Sequence, residues 1–197
     1  MIITHILGIL IFLFLLWKTL KDDYQYEKIF SLGFVVLVSV AVSILVLNFT
    51  PYLYWFWIMG TIMTISIALA IRKQRMKFFE VIEGFAISIL PWLSFYFLND
   101  SIQKSSLSSF LAFWLTLICI FIYFLLKNYY RTFSWYKSGR VGFAGISTLL
   151  IFFIVRMISS IFFPYIISFS GKSEIFLSGS TALLLGILLY NLYSKKE

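Results

Sequence analysis

Apolar residues in this chain come in long unbroken runs, without the alternation of a half-buried strand or the one-sided stripe of a soluble helix. Between charged breaks the runs cover 2–20, 29–49, 52–71, 78–98, 107–126, 141–163 and 175–193. Each is close to the roughly 20 helical residues that cross a hydrocarbon core about 30 Å thick. The pattern predicts an all-α integral membrane protein, a bundle of seven transmembrane helices forming a single domain over 1–197. Continuous runs exclude a transmembrane β-barrel, whose strands alternate.

The second and third runs meet at Asn48, Phe49, Thr50 and Pro51, a tight helical hairpin in which Pro51 begins the next helix without losing a needed hydrogen bond. The sixth run ends or kinks at Pro164, and Ser168 to Lys172 reads as a short loop. No internal repeat or separate extramembrane domain is visible. The longest connection, from Lys127 to Arg140, mixes Tyr, Phe and Trp with basic residues and reads as an interfacial belt on anionic headgroups.

Composition sharpens the class. The chain is 61% hydrophobic and 12% charged, whereas a soluble domain is about 45 to 50% apolar and about 25% charged. The net charge of +8 is organised by topology and does not suggest a nucleic-acid partner. Thirteen basic residues fall on one side: Lys18, Lys21 and Lys28; Arg72, Lys73, Arg75 and Lys77; Lys127, Arg131, Lys137 and Arg140; Lys195 and Lys196. The other side holds two, Lys104 and Lys172. The positive-inside rule then predicts an N-terminus outside and a C-terminus in the cytoplasm. No basic residue precedes the first apolar run, so it is expected to stay in the membrane and not be removed as a signal peptide.

Arg156 is the one basic residue left inside a span. Such an arginine costs at least about 2.5 to 3.5 kcal/mol, so it faces protein, water or an anion, and it needs a partner. At about 1.5 Å per residue it lies roughly 22 Å from the cytoplasmic end of its helix, in the outer half of the membrane. There it either grips a lipid phosphate bidentately or snorkels to the outer interface.

Glu80 and Glu83 open the fourth span, where acids complement a helix dipole and can pair with Lys77 or Arg75; Glu83 lies deeper and is the better site candidate. His5 has the side-chain chemistry of a general base, or is simply an interface residue. Gly142, Gly145, Ser147 and Thr148 make part of the sixth helix narrow enough for close packing. Cys119 stands alone, with no metal cluster or disulfide framework, and no Walker, HExxH or GxSxG motif occurs. Nothing in the chain calls for a cofactor or a metal.

Three local matches give a family resemblance. They are Trp57 to Gly60 with the basic loop Arg72 to Arg75, Phe79 to Ala86, and Lys137 to Phe143 followed by Arg156. From Tyr54 to about Ser160 the chain resembles the prolipoprotein diacylglyceryl transferases. These are bacterial inner-membrane enzymes that move diacylglyceryl from phosphatidylglycerol to a prelipoprotein cysteine. The resemblance implies seven spans, N-out and C-in, a cavity open to the outer leaflet, and a phospholipid partner, with a prelipoprotein or another membrane protein as a further one. Carried over residue by residue, it makes Arg156, Glu83, Asn99 and Ser160 the candidate lipid-binding positions.

Departures from the family bear on catalysis. Its His-Gly-Gly motif would fall at Ile58, Met59 and Gly60; of its Gly-Arg-x-Gly-Asn signature Asn99 alone corresponds; its late glutamate, four residues after the arginine, is Ser160. Transfer to a thiol needs a base and a group to stabilise the leaving phosphate, and these residues supply one cation and no base. The expectation is therefore lipid binding without assured transfer. A noncatalytic scaffold or partner subunit is the competing reading, and a small transporter, which would show repeat symmetry and broken helices, ranks behind it.

Overall fold

The computed structural model describes residues 2–129, 142–163, 166 and 168–194. The side chain of His5, the connection 130–141 that makes up most of the proposed interfacial belt, Pro164, Lys195 and Lys196 lie outside the described residues. Among the described residues the chain is all α: α1 (Ile2–Leu20), α2 (Tyr26–Leu47), a 3-10 turn (Tyr52–Tyr54), α3 (Trp55–Gln74), α4 (Phe78–Lys104), α5 (Leu107–Tyr129), α6 (Phe143–Phe162) and α7 (Ser173–Ser194). The six helices from α2 to α7 are long and apolar enough to cross a bilayer, which makes this a multi-pass helical membrane protein.

Large apolar side chains on the outside fit that solvent. Phe34, Leu69, Phe121, Phe176 and Leu183 are all more than half exposed, a liability in water but the expected surface against lipid. Inside, α4 is the hub and packs on α1, α5 and α6, while α2 pairs with α3 and α7 with α6. Leu16 and Leu20 of α1, Ile29 and Leu32 of α2, Ile67 and Ile71 of α3 and Val81 of α4 form the largest buried cluster, at the end of the bundle that carries Lys18, Lys28 and Arg72.

Two local features differ from the sequence expectation. Pro51 does not begin α3: the 3-10 turn intervenes and the α-helix starts at Trp55. The turn lets the chain reverse while Tyr54 N–H still finds the Pro51 carbonyl at 3.1 Å. Helix α4 runs on to Lys104, past the apolar run that ends at Leu98. Its polar last turns are held by an Asp100–Lys104 ion pair at 2.8 Å and by the Ser109 hydroxyl, which donates to Asp100 at 2.5 Å. Pro91 lies within α4 and does not end it.

Close packing of α6 on α4 uses two glycines. Gly142 opens α6 with φ 112°, a left-handed conformation that L side chains rarely adopt. A Cβ on Gly145 would stand 2.7 Å from the Glu83 Cα, so only hydrogen lets these backbones approach.

Candidate functional site

Residues on one face of α6 recur every three to four positions, and Thr148, Phe152, Arg156 and Ser160 all turn inward and are buried. Arg156 therefore neither faces lipid nor snorkels: its side chain is 5% exposed. It points across to the start of α7, where Glu174 in the first turn has a fully buried side chain. The guanidinium donates to Glu174 Oε1 from Nε at 3.0 Å and from Nη2 at 2.7 Å. Nη1 donates to the Ser168 hydroxyl at 2.9 Å and Nη2 to the Ser168 carbonyl at 2.8 Å.

The connection before α7 builds the acceptor side. Gly171 takes φ 65°, the left-handed turn that sends the chain into the helix. The Ser173 hydroxyl ties back to the Ser170 carbonyl at 2.7 Å. Glu174 then accepts from Ser170 N–H and its hydroxyl, both at 3.1 Å, from Ser178 at 2.6 Å and from the Trp57 indole N–H at 2.9 Å. Aromatic faces complete the shell, with the Phe56 ring 3.8 Å and the Phe169 ring 4.9 Å from the guanidinium carbon.

Burying two charges costs several kcal/mol each, and the pair is tolerated because nearly every donor and acceptor is filled. Among the described residues, four of the five guanidinium N–H groups find acceptors. A cavity of about 20 Å³ beside Arg156, walled in part by Thr116, Ser159 and Ser168, has room for about one water. In this arrangement the site is electrically balanced and closed to a headgroup.

The other candidate positions lie elsewhere. Ser160 is buried one turn beyond Arg156, with its hydroxyl bonded to the Met157 carbonyl at 2.7 Å. Asn99 stands in the last part of α4 and accepts from Gln103 at 3.5 Å. Glu83 belongs to the opposite end of α6, about 20 Å along the helix from Arg156. Its carboxylate accepts the Gly142 N–H and, at 3.3 Å, the Tyr123 hydroxyl. Glu83 therefore complements the positive end of α6, and not that of its own helix as the sequence suggested.

A third cluster joins two connections at the basic end. The Tyr24 hydroxyl donates to Glu80 and accepts the Lys77 N–H at 2.8 Å, and Lys77 Nζ pairs with Glu80 at 2.9 Å. Burial, reinforced by the Glu80 acceptor, pushes the Tyr24 phenol up to about 12. The bond and charge of Glu80 raise Lys77.

Sequence reasoning named Arg156 and missed Glu174. The signal was there, because Asp100 and Glu174 are the two acids at the end of the bundle away from the basic loops, and Asp100 has Lys104 four residues on. Among the described residues no three His, Cys, Asp or Glu side chains group as metal ligands. No protein-family model, curated protein or solved structure matches the chain.

Proposed function

We propose that this membrane protein is a divergent relative of the prolipoprotein diacylglyceryl transferases, seated in a bacterial inner membrane with its N-terminus outside and its C-terminus in the cytoplasm. On this reading α1, whose 19 residues span about 28 Å, is the seventh crossing. The protein binds an anionic phospholipid such as phosphatidylglycerol at the Arg156 end, with transfer of its diacylglyceryl group disfavoured.

The buried Arg156–Glu174 pair supports the family relation most directly. In the family the motif places a glutamate one helical turn after the arginine, on the face where i and i+4 side chains meet. Ser160 holds that position here, and Glu174 brings a carboxylate to the same guanidinium from the next helix. The arginine–glutamate couple is kept while its acid is relocated.

Glu174 grips the Nε and Nη2 edge and Ser168 the Nη1 side. A lipid phosphate enters by replacing these acceptors, which requires the segment from Ser168 to Ser170 to move away. Transfer is disfavoured because a carboxylate saturated by Arg156, Trp57, Ser170 and Ser178 is a poor base.

Native mass spectrometry in mixed phosphatidylglycerol and phosphatidylcholine tests the binding. Arg156→Gln should weaken retention of phosphatidylglycerol by about tenfold or more, the worth of a charge-assisted hydrogen bond. Glu174→Gln, which removes the competing charge, should strengthen it. Unchanged retention in both variants would leave the pair a structural lock and favour a noncatalytic partner subunit. Efficient transfer of labelled diacylglyceryl to a lipobox peptide would contradict the noncatalytic part.

A further inference from the structure

The α2–α3 hairpin carries a groove that the Arg156 site does not use. It holds about 220 Å³ and is lined by Val35, Val38, Ser39 and Val42 of α2 and by Ile62 and Ser66 of α3. Val38 and Val42 are each more than two-fifths exposed, so the groove opens toward the membrane. At one end the hairpin is bridged by Gln74 Nε2, which donates to the Ser31 hydroxyl at 2.9 Å.

Helical periodicity carries the groove's two walls onto basic side chains. On α2, Val42, Val38 and Val35 lead at three- and four-residue steps to Ser31 and Lys28. On α3, Ile62 and Ser66 lead through Leu69 to Lys73. Lys28 stands about one turn past the Ser31–Gln74 bridge and Lys73 one residue before it, where an apolar channel gives way to the polar end of the bundle. Arg72 and Arg75 flank Lys73 in the chain, and Asp22, Asp23 and Glu27 are the acids that precede Lys28.

We propose that this groove is a second lipid site, for one molecule of an anionic glycerophospholipid in the leaflet at the basic end. One acyl chain lies between α2 and α3, and the phosphate is held by Lys28 and Lys73. An apolar channel alone would take any acyl chain; the paired lysines select an anionic headgroup. The site is at the opposite end of α3 from Trp57 and does not depend on the Arg156 reading.

The test uses the full chain and native mass spectrometry against phosphatidylglycerol and phosphatidylcholine. Lys28→Gln with Lys73→Gln should cut the preference for phosphatidylglycerol by about thirtyfold, the worth of two interfacial lysines. Val38→Trp, on an exposed face, fills the channel and should remove one bound lipid. Both losses should persist in an Arg156→Gln background, which separates this site from the other. Equal retention of the two lipids by the wild type, or retention unchanged by both sets of variants, means ordinary annular lipid and overturns the proposal.

Discussion

Arg156 and Glu174 carry most of the chemistry of this chain, and each is safe inside the bundle only because of the other. Removing one partner strands a buried charge at about 3 to 5 kcal/mol, whereas replacing both by apolar groups of similar size is often neutral or stabilising. Arg156→Met or Glu174→Leu alone should therefore lower the thermal midpoint strongly, and the double variant should recover much of the loss. A double variant that falls by the sum of the singles would show the pair is not coupled. At this scale the sequence exposed Arg156, because a charge in an apolar run stands out. Glu174 stayed hidden, since an acid in a helix's first turn looks like an ordinary dipole partner. Its inward direction depends on the turn through Gly171, which no periodicity encodes.

The helices were legible because hydropathy measures the solvent around an element, and lipid on the outside makes every span apolar all round. What hydropathy does not report is where polar ends find partners. Helix α4 continued past Leu98 because Asp100, Lys104 and Ser109 satisfy one another. Glu83 obeyed the dipole rule but at a different helix, because Gly142 and Gly145 bring α6 against it. The link between the connection preceding α2 and the start of α4 has a pH signature. Tyr24 holds its proton more tightly when folded, so its contribution is complete below the ordinary value of 10.0 and is lost as pH rises toward about 12. The gap in thermal midpoint between wild type and Tyr24→Phe should narrow over that range. A gap constant across it would deny the Tyr24–Glu80 bond this role.

At the scale of the whole molecule, six apolar helices establish a multi-pass membrane protein. The proposed sidedness rests on the positive-inside rule applied to the basic residues of the sequence. If the proposed sidedness holds, the lipid site at Arg156 meets the outer leaflet and the one at Lys28 and Lys73 the inner. That sidedness also requires α1 to cross. Single-cysteine labelling in a Cys119→Ser background tests it most directly, with a membrane-impermeant maleimide on spheroplasts. Thr50→Cys, Ser105→Cys and Lys172→Cys should react in sealed spheroplasts, whereas Asp22→Cys and Lys73→Cys should react only after lysis. The reverse pattern would invert the protein and place the Arg156–Glu174 pair at the cytoplasmic face, contradicting the account.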